Sequence, residues 1–282
     1  MDKPRPCGCK GCRTCLVCEK EFGVINKSFN LSRDKDCYVY CPECNSAWPG
    51  WDFLDQTHPD HTAEEEEYLM RNIDDVPWDL SQSGRRKQNY GPKCNFKKKK
   101  LQIGNFEGFP EFSQFVQEKL KQVPILRDFQ TIEQCSLEYD PKRGASIDPH
   151  IDDCWIWGER VVTVNLLADS VLTMTPNEKL SKYNLDCVAQ YPAVLNEDSE
   201  INTSSKPFIV DTNLQKSCTV RIPMPKRSLL VLYGSARYEW EHQVLREDIT
   251  ERRVCLAYRE FTPPYLKSHE AKIILEKACA FF

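Results

Sequence analysis

At 282 residues, 40% hydrophobic and 11% aromatic, the chain has the apolar material for one large domain plus a small module, which excludes a disordered protein. Its formal net charge of −4 excludes a generally basic nucleic-acid binder, so any grip on phosphate has to come from a local patch. With no apolar run long enough for a membrane span and no apolar leader core in Met1–Cys7, a reducing location in cytoplasm and nucleus is expected, where clustered cysteines read as metal ligands before disulfides.

The first segment, 1–50, holds eight of the 15 cysteines: Cys7, Cys9, Cys12, Cys15, Cys18, Cys37, Cys41 and Cys44. It carries few large aliphatic side chains, so a bound metal would have to supply what a core does not. Cys15-x2-Cys18 with Cys41-x2-Cys44 reads as a zinc ribbon, and Cys7 and Cys9 with Cys12 as a second site; an iron–sulfur cluster or free thiols remain open.

Residues 51–129 read as helical support plus a basic loop. A capping box, Thr62-Ala63-Glu64-Glu65, opens a helix whose inner face is Tyr68, Leu69, Ile73 and Val76 and which Pro77 stops. The run Glu64–Glu67 suits the positive helix end and reads as solvated. The turn-rich stretch 81–100 is expected to be a loop or irregular hairpin. Its Arg85, Arg86, Lys87 and Tyr90, with Phe96 and Lys97–Lys100, can grip phosphates and stack a base, meet an acidic protein, or simply be solvated. A second helix is predicted between Pro110 and Pro124.

From 130 to 262 the pattern turns to short strands: Cys135–Tyr139, Val161–Leu167, Cys218–Ile222, Ser228–Tyr233 and Arg252–Arg259, interrupted by a polar insertion at about 175–217. These predict a β-sandwich or barrel. A helix is expected over 263–282.

Within the strand region stands Asp148-Pro149-His150-Ile151-Asp152-Asp153. In an extended segment, His150 and Asp152 point to one side and Asp153 to the other. Of five histidines, His242 lies just beyond the apolar strand ending at Tyr233, at a strand end. Two imidazoles and one carboxylate on one face leave open positions and suit non-haem iron(II). Downstream, Arg253-Val254-Cys255-Leu256-Ala257-Tyr258-Arg259 puts Arg253, Cys255, Ala257 and Arg259 on one face. Their ends lie roughly 20 Å apart at about 3.3 Å per residue. Arginines projecting into a core need partners, and the small residues between them leave room for a dicarboxylate. Trp155 and Trp157 read as core or rim packing.

His150-x-Asp152, the distant His242 and Arg253-x5-Arg259 together resemble the AlkB family of dioxygenases over most of residues 78–262. Ser81–Lys93, Ile147–Asp153 with Trp155–Arg160, and the Cys-Gly-Cys-Lys-Gly start are similar to the branch of the fourth animal homologue. The resemblance implies an α+β chain with a double-stranded β-helix (jelly-roll) oxygenase domain. It implies iron(II) on His150, Asp152 and His242, and also 2-oxoglutarate and O2. Arg253 would take the distal carboxylate of 2-oxoglutarate, Arg259 would lie near the other end of that site, and Tyr139 would contact the cofactor. Residues 81–100 would correspond to the substrate-recognition lid. Cys255 and Ala257 depart from the family's usual Asn and Thr, and Leu137 from its Asn. The implied reaction removes N-methyl groups from a methylated lysine of an actin-like protein, from N6-methyladenine in DNA, or from both; the sequence leaves the oligomeric state open, with a monomer expected. The acidity of the whole chain favours the protein substrate. A zinc-dependent interaction protein with a degenerate oxygenase domain is the alternative.

Overall fold

The computed structural model describes residues 5–11, 13–25, 37–41, 46–51, 63–177, 183, 185, 218–266 and 268–282. In chain order these form α1 (Leu16–Phe22), β1 (Cys37–Cys41), β2 (Ser46–Pro49), α2 (Ala63–Asp75), β3 (Asp79–Leu80), β4 (Arg86–Tyr90), β5 (Lys93–Asn95), β6 (Lys100–Gln102) and α3 (Gln114–Leu120). They continue with β7 (Glu133–Tyr139), β8 (Ile147–His150), β9 (Trp157–Leu166), β10 (Ser170–Pro176), β11 (Thr219–Met224), β12 (Leu229–Leu232), α4 (Gly234–Tyr238), β13 (Trp240–Val244), β14 (Arg253–Phe261), α5 (Pro263–Leu266) and α6 (His269–Lys277).

Among the described residues, one six-stranded sheet runs β2-β1-β11-β10-β13-β8 and a second runs β12-β9-β14-β7-β4-β3, with β5-β6 as a separate hairpin. Pairing is antiparallel except between β1 and β11. The two large sheets share an apolar layer. Leu172, Met174, Met224 and Val244 come from the first sheet, and Tyr139, Val161, Leu232 and Cys255 from the second. The second sheet's other face is covered by α2 and α3, where Leu69, Ile73, Val116 and Leu120 meet Val162, Leu166, Val254, Leu256 and Tyr258. The strand β14 is therefore buried on both faces. Its alternation sends Val254, Leu256 and Tyr258 to the helices and Cys255 to the inter-sheet layer, with Arg253 in step with Cys255. A third cluster joins Ile274 and Ala271 of α6 to Phe109, Trp155, Trp157 and Phe261, so both tryptophans pack as the sequence predicts.

Several expectations change. The stretch 81–100 is not simply a loop: β4 is a strand of the second sheet that pairs with β3 and β7, and β5 and β6 form a separate hairpin. The expected insertion begins later than 175, because Thr175 and Pro176 complete β10 and pair with Glu241 and Trp240. β10 and β13 lacked the clean alternation that marks a strand. Strands β1 and β2 of the cysteine-rich segment extend the first sheet, through Cys37–Val39 against Thr219–Arg221. Thr62 lies outside the described residues. The glutamate run is only partly solvated: Glu66 accepts from the Leu167 backbone N–H at 2.6 Å and pairs with Arg227.

On the helix side of the second sheet lies Glu138, 1% exposed. Arg86 grips it at 2.5 and 2.6 Å, Arg143 at 2.5 Å and Arg252 at 2.8 Å, while Arg252 also reaches Asp74 of α2. Burial alone would raise the Glu138 carboxyl; the three guanidiniums outweigh it and hold it at about 2. Glu138→Gln should cost ~3–5 kcal/mol at neutral pH, the usual result of breaking a buried ion pair. Because the folded carboxyl is depressed, that stabilisation is present above pH 4.5 and is lost as pH falls toward 2. Denaturant titrations should therefore show the wild-type advantage shrinking over that window; a constant gap would mean Glu138 does not anchor the network through its charge.

Candidate active site

β8 and β13 pair at the edge of the first sheet, and their register sets His150 directly opposite His242. The imidazole centroids stand 4.3 Å apart at 48°. The chain leaves β8 after His150 and brings Asp152 back to the same point. One ligand atom from each of the three residues lies within 4.8 Å of the others. Asp153 is exposed, and Asp152 is the carboxylate that meets the two imidazoles. His242 is not at a strand end: a short helix, α4, follows the β12 strand, and His242 sits in the middle of a further strand, β13.

The electrostatics suit a cation. His150 Nδ1 is 2.8 Å from the Asp148 carbonyl, which can only accept, so Nδ1 carries the proton and Nε2 is left as the lone-pair donor. Burial, aided by the neighbouring His150, pushes His242 down to about 3, and burial also lowers His150, so both rings are neutral ligands at physiological pH. Burial would raise Asp152, but Arg259 and the two imidazoles hold its carboxyl well below the usual range. Arg259 Nη2 donates to Asp152 Oδ1 at 3.0 Å and Nη1 to Glu133 at 2.7 Å. The other carboxylate oxygen, Asp152 Oδ2, is buried with no hydrogen-bond partner and lies 3.9 Å from His242 Nε2. Two neutral imidazoles and an orphaned carboxylate oxygen are the donor set a divalent iron requires.

The interior continues from there. Met174, register partner of His242, packs into the cluster that holds Tyr139 and Cys255. Across the β7-β14 pair, Arg253 is the partner of Tyr139, and its guanidinium lies 4.8 Å from that ring's centroid. Arg253 is 2% exposed. Its Nε donates to Asn165 Oδ1 at 2.5 Å, while Nη1 is buried with no hydrogen-bond partner. A guanidinium edge left dry and unpaired is costly unless an anion completes it.

The chain is 41% identical over 271 residues to the mouse alpha-ketoglutarate-dependent dioxygenase alkB homolog 4, covering 92% of this chain and 88% of the relative. The human protein of the same name is 42% identical over 273 residues, covering 93% and 88%. The chain belongs to the AlkB family. It is a 2-oxoglutarate-dependent dioxygenase of the N-demethylase class. A Caenorhabditis elegans relative named DNA N6-methyl adenine demethylase is 30% identical over 297 residues, covering 94% and 89%. No protein-family model matches the chain.

Several residues around this AlkB-family site were not legible in the sequence. Asn165 orients Arg253, and Glu133 shares Arg259 with Asp152. Arg237, 1% exposed, donates to the backbone carbonyls of Asp152, Trp157 and Gly158 and so pins the loop that presents the carboxylate. Each comes from a strand or turn distant in sequence, and a lone polar residue in an apolar run carries no signal of its partner. Tyr183 and Leu185, within the insertion, pack against Ile151, Cys154 and Tyr238 beside the same loop.

The expected substrate residues divide. Arg85 lies 5.8 Å from the Tyr139 ring, at the edge of the site. Lys87 is half-buried, close enough to Glu133 to act on its carboxyl. Arg86 instead serves the Glu138 network and packs on Trp78, because alternation along β4 turns it to the helix side. Tyr90 packs against the α6 cluster. The lysines Lys97–Lys100 are exposed at the β5-β6 turn, and the nearby Phe96, 48% exposed, meets the edge of Trp155. In the cysteine-rich segment the sulfurs that come together are Cys7, Cys9, Cys15 and Cys18. Cys15 and Cys18, expected to pair with Cys41 and Cys44, lie beside Cys7 and Cys9 among the described residues. The Cys41 backbone closes β1; its side chain, Cys12 and Cys44 lie outside the described residues.

With both imidazoles shifted toward the neutral form, binding of a divalent metal at pH 6 should release fewer protons from them than an ordinary pair would. A solvent-exposed histidine pair with ordinary pKa values would release roughly one and a half. Calorimetric titration with manganese(II) in buffers of different ionisation enthalpy measures this directly; release of more than one proton would show that the rings are charged in the metal-free site.

Proposed function

We propose that His150, Asp152 and His242 hold one iron(II), that Arg253 and Tyr139 seat the distal carboxylate of 2-oxoglutarate, and that the enzyme removes N-methyl groups within a jelly-roll oxygenase domain. The reading rests on one observation above the rest: Asp152 Oδ2 and Arg253 Nη1 are buried, belong to oppositely charged groups and have no hydrogen-bond partner. Iron with 2-oxoglutarate and O2 supplies the oxidising power that converts an N-methyl group to N-hydroxymethyl, lost as formaldehyde alongside succinate and CO2.

The protein's share is placement. Arg259 engages one oxygen of Asp152 and leaves the other for the metal, Asp148 fixes the His150 ring, and Arg237 fixes the loop between them. Asn165 holds the Arg253 plane from its Nε side, so the free edge faces the incoming carboxylate. Arg259, expected at the far end of the cofactor, is already committed to Asp152 and Glu133 and acts as a brace for the metal ligand.

His150→Ala should abolish stoichiometric iron binding and succinate formation. Arg253→Lys keeps the charge and loses the fork, so the 2-oxoglutarate requirement should rise about tenfold or more with iron content unchanged. An unaltered requirement would place the carboxylate elsewhere.

For the methylated group, a nucleic-acid base is the reading the surface supports best. Exposed Lys97–Lys100 beside the outward Phe96 combine phosphate and stacking contacts, and the nematode relative is named for N6-methyladenine in DNA. The net charge of −4 favours the second reading, a methyl-lysine on an actin-like protein. Replacing Lys97–Lys100 by Ala should depress turnover of N6-methyladenine DNA and flatten its salt dependence, while a short methyl-lysine peptide is unaffected. Turnover of whole methylated actin with none of DNA would decide for the protein.

A further inference from the structure

The cysteine cluster carries a second site. Cys15 Sγ and Cys18 Sγ are 3.8 Å apart and Cys7 Sγ and Cys18 Sγ 3.1 Å, all four sulfurs lying within 4.8 Å of one another. These separations are far beyond a disulfide bond of about 2.0 Å. They approach the edge of a tetrahedron with metal–sulfur bonds of ~2.3 Å, about 3.8 Å. Cys9, Cys15 and Cys18 are buried and Cys7 is half-buried, so the four thiols form a closed, dry group with Val17 and Val24 packed round it.

The group is built onto the catalytic domain at one place. Ser83 N–H donates to Cys9 Sγ at 3.2 Å. Ser83 holds φ +54° and Gly84 φ +75°, and a Cβ on Gly84 would stand 2.6 Å from the Arg143 carbonyl and 3.1 Å from Cys15 Cβ. A buried serine in the left-handed region persists only where its surroundings impose it, and here the sulfur bond does so. The next residue is Arg85, whose guanidinium overlies Tyr139. The same module is tied down by Glu19 to Arg246 at 2.8 Å and by Arg13 to Asp148, whose carbonyl orients His150.

We propose that Cys7, Cys9, Cys15 and Cys18 bind one zinc-class ion as a closed tetrathiolate site, and that this site positions the Ser83–Arg85 turn, and so Arg85, against the Tyr139 wall of the cofactor pocket. The second half rests on the cofactor reading of Tyr139 and Arg253; the first half stands independently of it. Arg85 is a positioning residue for that wall. Loading requires the thiols to lose their protons, so the metal also neutralises a cluster of thiolates that burial disfavours.

The test uses the full-length chain carrying His150→Ala, so that only the sulfur site takes metal. Cobalt(II) should bind with one equivalent and give the intense visible and thiolate charge-transfer absorption of a four-sulfur tetrahedral site. Cys18→Ser or Cys7→Ser should lose it, and the Cys41→Ser/Cys44→Ser double variant should keep it. No such spectrum, loss through Cys41 or Cys44, or iron with acid-labile sulfide in the purified protein would overturn the site. For its role, zinc is stripped from wild-type enzyme by a mercurial reagent and iron is resupplied, which avoids variants that fail to fold. The expected result is a several-fold rise in the KM for 2-oxoglutarate with kcat little changed, together with faster trypsin cleavage at Arg85. An unchanged KM and unchanged cleavage in the zinc-free enzyme would overturn the positioning role while leaving the iron-site reading intact.

Discussion

The interior of this protein is organised by the cost of burying charge. β14 carries two arginines, Arg253 and Arg259, into the interior, where a guanidinium needs a partner. Arg259 is neutralised within the protein by Asp152 and Glu133. Arg253 is not: a neutral Asn165, a tyrosine ring and a methionine sulfur are its company. The two arginines thus differ in what the protein supplies: Arg259 has carboxylate partners and Arg253 Nη1 has no hydrogen-bond partner. An arginine with a full set of partners holds the fold, whereas one with an edge left dry has room for a ligand's carboxylate.

The same logic explains the unusual ionic density around the site. Glu138 gathers three arginines on one side of the second sheet, while Arg221 with Asp248, and Arg160 with Glu260 and Asp128, stitch other edges. Such pairs add less stability than their number suggests, since desolvation offsets most of the Coulomb gain. What they provide is registration. The carboxylate of Asp152 lies on a loop, and a loop holds a metal ligand in place only if its backbone is fastened; Arg237 does this through three carbonyls.

The cysteine-rich start is part of that framework. Its strands extend the first sheet, and its four-sulfur knuckle touches the turn before Arg85. A segment with little apolar core of its own is held by such docking, through Glu19 to Arg246 as well as Cys9 to Ser83. This is how Cys9 and Ser83, 74 positions apart in the chain, come into contact.

Much of this was written locally in the chain. The period-two alternation of Arg253–Arg259 was enough to place both arginines on the interior face, and His150-x-Asp152 with His242 supplied the triad, because strand periodicity dictates side-chain direction before any packing is known. Alternation could not say which of the basic residues in β4 would face the site, and the structure turned Arg86 to Glu138 because that strand joined the sheet. Spacing alone could not pair the cysteines. A Cys-x2-Cys pair defines half a site, and only the path of the backbone decides which other sulfurs arrive. The partners Asn165, Glu133 and Arg237 became visible solely in three dimensions, since a hydrogen bond between distant strands leaves no periodic trace in either strand.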